Sequence, residues 1–195
     1  MGTIGLMHYY VVGVNGSGKT TLLKELAAET GIKAIHGTTE LMRYLGISGD
    51  YDALRAMNQD EVLEKWRETA EYLVEEYGNE PFFLDTHILN LTAGKVIRRD
   101  GDWIAKYDTL VLVKADPAVI LSRILQDAGK DRALFPAGIN DRQKLSMLSA
   151  YQQSTEELFY ELCQKYDLPS LVIENNASLA EGVRVFTESA LYARD

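Results

Sequence analysis

One octapeptide restricts this chain more than any other feature. Gly13-Val14-Asn15-Gly16-Ser17-Gly18-Lys19-Thr20 carries the spacing G-x-x-x-x-G-K-[ST], with an apolar run at residues 9–12 before it and a helix-forming run at 20–29 after it. The glycines let the backbone curl so that successive N–H groups turn inward, and such a concave row of donors suits phosphate oxygens. The helix that follows brings the positive end of its dipole to the same point. Lys19 can then reach the outer phosphates of a polyphosphate, while the Thr20 hydroxyl is placed to ligate Mg²⁺. Thr21 closes the stretch, inside the first turn of that helix. A loop of this kind needs a buried strand feeding a helix, so it already points to an α/β chain.

The rest of the sequence agrees with that demand. Short apolar runs alternate with amphipathic ones, the pattern of βαβ units around a parallel sheet. Strands are expected at residues 8–12, 33–35, 82–85, 109–114 and 170–174. The first and fourth are rich in Val or aromatic residues without alternation, as in strands buried on both faces. Helices are expected at 19–29, 38–45, 59–77, 117–126, 140–166 and 178–193. The fourth of these opens at Asp116-Pro117, an N-cap residue with proline in the first helical position. Two stretches, 86–108 and 128–139, show no regular periodicity and are expected as loops.

At 195 residues the chain suits one domain, and 46% hydrophobic residues suffice for a core. Twenty basic residues against 29 acidic give a formal charge of −9, which disfavours non-specific binding to nucleic acid or anionic membrane. No apolar run approaches the ~20 residues of a membrane span. The N-terminus has no basic stretch of a secretory signal, and Leu6 stands where a myristoylation motif needs Ser or Thr. The one cysteine, Cys163, lies in an apolar helical run and reads as a small buried hydrophobe. A reducing, cytoplasmic setting is the default expectation.

A second motif supports the first. Phe82-Phe83-Leu84-Asp85 ends an apolar strand in an acid, and a carboxylate there can hold Mg²⁺ beside the Thr20 hydroxyl. His87 follows two residues later. It reads either as a contact to the substrate or as a structural hydrogen-bonder at a strand end. His8 and His36 read as structural, and Arg98 and Arg99, beside Asp100 and Asp102, as a solvated loop.

With these residues in place the chain resembles the P-loop nucleoside monophosphate kinases, in particular the archaeal-type adenylate kinases. The resemblance is carried by residues 13–21, by 38–43 to 54–57, by Asp85-Thr86-His87, and by the run from Ala115-Asp116-Pro117 to Arg123. It implies a P-loop NTPase fold, with a five-stranded parallel sheet of order 2-3-1-4-5 and helices on both faces. It further implies one kinase domain over 1–195, with an acceptor-binding insertion at about 36–77 and a short lid at about 128–139. ATP and Mg²⁺ would be the cofactors, with Asn175 near the donor base, although a plain turn explains Asn175 and Asn176 equally well. Thr39, Arg43, Arg55 and His87 would bind the acceptor, while Arg123, Arg132 and Arg142 would join Lys19 around the transferring phosphoryl. A homo-oligomer is compatible with the resemblance and is not readable from the residues. The family's usual Gly/Pro-rich segment after Asp-Thr-His is here Ile88-Leu89-Asn90-Leu91-Thr92-Ala93-Gly94-Lys95. The lid, Gly129-Lys130-Asp131-Arg132-Ala133-Leu134-Phe135-Pro136, lacks closely spaced arginines. Both departures bear on the acceptor more than on the kinase chemistry.

The expected reaction is therefore phosphoryl transfer from ATP to a nucleoside monophosphate, AMP first. One alternative is a kinase for a nucleoside or other small molecule, which would need Asp85 as base for a hydroxyl. Another is a nucleotide-dependent ATPase or switch. Guanine recognition is disfavoured, because Val113-Lys114-Ala115-Asp116 has Val where that motif needs Asn or Thr.

Overall fold

In a computed structural model of the chain, the described residues are 7–127, 134–176 and 178–192. Five strands form one parallel sheet: β1 (His8–Val12), β2 (Lys33–His36), β3 (Phe82–Asp85), β6 (Thr109–Lys114) and β7 (Ser170–Glu174). Their order is β2-β3-β1-β6-β7, which is 2-3-1-4-5 when the sheet's strands are counted alone. The order expected from the family resemblance is the order found.

Side-chain alternation splits the core in two. Tyr10, Val12, Phe82, Leu84, Leu110 and Leu112 enter one cluster, and their neighbours Tyr9, Val11, Phe83, Val111 and Val113 enter the other. Helices cover both faces, so strands that look uniformly apolar in sequence are buried on each side. The smaller cluster is closed by α1 (Lys19–Thr30), through Leu22, Leu23 and Leu26, and by α7 (Leu179–Tyr192), through Val183 and Phe186. The larger is closed by α2 (Gly37–Tyr44), α4 (Gln59–Tyr77), α5 (Pro117–Gln126) and α6 (Asp141–Tyr166). The Asn140–Gln143 capping box starts α6, and Asn58 caps α4 by accepting from Asp60 and Glu61 N–H groups. At the centre of the larger cluster the indoles of Trp66 and Trp103 both donate to the Tyr10 hydroxyl, each at 3.3 Å.

Three departures from the sequence expectation stand out. Residues 86–108 are not a plain loop: β4 (Leu89–Thr92) and β5 (Lys95–Arg98) form an antiparallel hairpin, and a 3-10 helix spans Asp102–Lys106. Ala93 and Gly94 turn it, both at positive φ (48° and 79°). A short helix, α3 (Tyr51–Ala56), capped by the Asp50 side chain, also went unsignalled because none of its residues is buried. Asp116 does precede α5 at the N-cap position, but its side chain makes no cap hydrogen bond; its N–H donates to Asn176 Oδ1 at 2.6 Å.

Candidate active site

At the carboxyl edge of the sheet the loops after β1, β2, β3 and β7 converge on a cavity of about 790 Å³. Open parallel sheets place ligand sites at this edge. The loop between β1 and α1 supplies Asn15, Gly16, Gly18, Lys19, Thr20 and Thr21 to its lining. Gly18 stands before α1 at φ +90°, with no side-chain cap, and no acidic residue occupies the first turn. The first N–H groups of α1 are thus left to an anion. Backbone space is tight. A Cβ on Gly13 would lie 2.1 Å from the Val113 carbonyl, and one on Gly18 2.3 Å from Asn175 Nδ2.

Four polar side chains hold the loop in shape. Lys19 Nζ, only 6% exposed, donates to the Gly13 carbonyl at 2.9 Å and to the Val14 carbonyl at 3.4 Å. His87 Nδ1 meets the same Gly13 carbonyl at 2.8 Å, and since a carbonyl only accepts, Nδ1 carries the proton. At the other end Arg123 Nη1 and Asn175 Nδ2 both donate to the Ser17 carbonyl, at 3.0 and 2.9 Å. Arg123 Nη2 also donates to the Asn175 carbonyl at 2.9 Å. Peptide planarity turns the Gly18 N–H away from the side on which Ser17 O is held.

The acid of the second motif lies where the sequence puts it. Asp85 is buried, and its Oδ2 accepts the Thr20 hydroxyl at 2.5 Å. These residues fit Mg²⁺. A carboxylate and a hydroxyl in contact supply two hard oxygens, and Mg²⁺ beside a polyphosphate needs few protein ligands because phosphate and water fill the rest. Among the described residues no group of three or more His, Cys, Asp or Glu could hold a metal on its own. Ser17 Oγ, buried within the loop, has no hydrogen-bond partner among the described residues.

At the opposite end the lining comprises His36, Thr38, Tyr51 and Arg55, with Asp127 and Leu179 near the α5 and α7 side. Arg55 pairs with Asp52 at 2.9 Å and is largely exposed. Thr39 is outside the lining, its hydroxyl 3.2 Å from Nδ1 of the lining residue His36, whereas Thr38 lines the cavity. Arg43 is outside the lining, paired with Glu40 at 2.7 Å. Arg142 is exposed in the first turn of α6 and also outside the lining. Arg132 and Lys130 fall outside the described residues. Asn175 also lines the cavity; its backbone N–H donates to Lys114 O at the end of β6 at 2.8 Å, and its side chain holds the Ser17 carbonyl.

Sequence reasoning missed His36, Thr38, Tyr51, Asp127 and Leu179. Thr38 was one residue from the position singled out, and His36 was read as structural; the others carry no local signal. Arg98 is the surface group it was expected to be, paired with Asp100 at 2.6 Å. Arg99 is not: it is half-buried, its guanidinium bonds the Gln59 side-chain oxygen, and desolvation holds its pKa below the usual value. Cys163 is half-buried with its thiol pKa pushed up by burial, which suits an inert hydrophobe.

A parallel sheet of this order, with a glycine loop, its lysine and a Thr–Asp pair at the carboxyl edge, defines a P-loop kinase. The chain belongs to the AAA_17 family, described as an AAA domain, whose model matches residues 12–134. It is similar to an adenylate kinase of Thermoplasma acidophilum, at 29% identity over 133 residues covering 65% of this chain and 70% of the relative. An adenylate kinase of Thermoplasma volcanium is 26% identical over 160 residues, covering 78% and 85%. Among solved structures, a shikimate kinase from Acinetobacter baumannii in complex with shikimate superposes with a TM-score of 0.62 at 16% identity, over 97% of this chain and 95% of that one. That likeness is one of fold. Among the described residues no helix is long and apolar enough to cross a membrane.

Proposed function

We propose that this kinase transfers the γ-phosphoryl group of Mg²⁺-bound ATP to the phosphate of a nucleoside monophosphate, with AMP the first acceptor. The observation that carries the reading is one cavity with two basic ends: Lys19 and Arg123 on the loop side, Arg55 with Thr38 and Tyr51 on the other. Two anionic substrates can meet there head to head, and the adenylate kinase relatives support adenine nucleotides. Residues 36–77 would supply the acceptor end and 128–139 a short lid.

The chain acts by positioning and charge, since phosphoryl transfer asks for little covalent participation. Residues 13–21 hold the donor phosphates, with Lys19 as the mobile charge. Thr20 and Asp85 would hold Mg²⁺, which would supply charge neutralisation at the phosphates. Arg55 binds the acceptor phosphate by exchanging Asp52 for it. That phosphate is already anionic, so no general base is required. Arg132 is assigned to the transferring phosphoryl, and Arg132→Ala should lower turnover far more than ATP affinity.

The test is ADP production from Mg·ATP, followed by a coupled assay with AMP, other nucleoside monophosphates and nucleosides in turn. ADP release that depends on a monophosphate supports the proposal. Release without any acceptor, or only with a hydroxyl acceptor, overturns it.

A further inference from the structure

We propose that the ring of Tyr51 is a stacking face for the nucleobase of the acceptor, beside the phosphate that Arg55 holds. The inference rests on the acceptor end assigned above and adds what that acceptor must carry, a planar aromatic ring.

Tyr51 lines the cavity, yet it is 47% exposed, and among the described residues it has neither a hydrogen bond nor a ring contact. The other exposed tyrosines differ. Tyr44 packs against Tyr72 with centroids 6.3 Å apart, and Tyr160 against Phe159 at 5.2 Å. No other Phe, Tyr or Trp among the described residues lines this cavity. Core packing does not account for the ring, since α3 buries none of its residues and Tyr51 belongs to neither apolar cluster. Tyr51 and Arg55 stand four residues apart in α3, which puts their Cβ atoms about 5–6 Å apart on one helix face. Both reach the cavity, so that face offers a π-surface next to a guanidinium, with Thr38 and His36 as polar neighbours in the lining. A ligand that uses both needs an anion and a planar ring joined by a short polar spacer, which is the build of a nucleoside monophosphate. A sugar phosphate would satisfy Arg55 and leave the phenol ring without a flat partner. Every nucleobase has a π-face, so Tyr51 admits a base without choosing among them.

Steady-state kinetics at saturating Mg·ATP, with AMP varied, test this on Tyr51→Ala and Tyr51→Phe. Tyr51→Ala should raise the KM for AMP about tenfold, the usual loss of one base–aromatic stack. Tyr51→Phe keeps the ring and should stay within about twofold of wild type. Calorimetric titration with Mg·ATP should give the same Kd in all three proteins, which also shows that the variants are folded. Ribose 5-phosphate, which lacks the base, should compete with AMP equally weakly in wild type and Tyr51→Ala. An unchanged KM for AMP in Tyr51→Ala overturns the inference. So does an equal loss in Tyr51→Phe, which would assign the contact to the hydroxyl, and so does a tenfold loss of ribose 5-phosphate binding in Tyr51→Ala, which would assign it to the sugar or phosphate. Wild-type protein that takes no nucleoside monophosphate overturns the functional reading and this inference with it. Wild-type protein that takes AMP while Tyr51→Ala matches it overturns this inference alone.

Discussion

Lys19 shows how the site works at the scale of one residue. Its ammonium is nearly buried and bonded to the backbone of the loop it serves. It contributes charge to phosphates and little apolar area to the core. Lys19→Ala should therefore cut turnover by about 10²–10³, the usual cost of one oriented donor at a developing charge, while the protein stays folded. Steady-state rates beside a thermal melt check this, and near-wild-type turnover would sink the assignment of the loop. Asp85→Asn keeps an oxygen to accept the Thr20 hydroxyl but removes the negative charge. The expected result is a higher Mg²⁺ concentration at half-maximal rate, read from a metal titration at fixed ATP. An unmoved titration would leave Asp85 a strand-end residue. Of these side chains, Lys19, Thr20 and Asp85 were readable because a fixed spacing or a strand end names them. Thr38 was not, because a shift of one residue along α2 decides which threonine faces the cavity.

At the scale of elements, the hairpin β4–β5 is the part of the fold that local pattern concealed. Its strands are four residues each, and β5 buries none of its residues, so its apolar face is only the pair Leu89 and Leu91 in β4. Tertiary contacts secure it. The Tyr151 hydroxyl donates to the Leu89 carbonyl at 2.6 Å, and the Gly94 N–H donates to the Leu134 carbonyl at 2.9 Å. Gly94 at φ +79° packs where a Cβ would lie 2.9 Å from Met147 and Pro136. Gly94→Ala should cost about 1–3 kcal/mol from left-handed strain and crowding together, measured by urea unfolding. A change under a few tenths would mean that the turn relaxes freely. Helices α4, α5 and α6 were legible in contrast, because each repeats apolar residues at helical spacing and starts at Asn or Asp.

Across the whole molecule, three phenols sealed in the larger core link stability to alkaline pH. Burial raises the pKa of Tyr10, Tyr107 and Tyr151 above the ordinary value of 10.0. Unfolded tyrosines ionise near pH 10 while these stay protonated, so above that pH the unfolded chain binds fewer protons and stability falls as pH rises. Stability from this source is complete below pH 10 and declines beyond it. Urea midpoints measured from pH 8 to 12 should show the decline, and Tyr151→Phe should lessen its slope by one proton. An identical slope in both proteins would show that Tyr151 titrates normally in the fold.

The amino-acid sequence by itself determined the phosphate loop, the five core strands and the long helices. Each is written in a short window: three glycines before Gly-Lys-Thr's lysine, a run apolar on both faces, an apolar stripe every third or fourth residue. Only the tertiary structure decided which groups meet across the windows. His87 and Gly13 are 74 positions apart, and Ser17 and Asn175 are 158 apart, yet each pair shares a hydrogen bond. The sheet makes those meetings by placing the ends of β1, β3 and β7 at one edge. Periodicity carries no information across such distances, because it records which face a residue turns to the core and not which partner awaits it there.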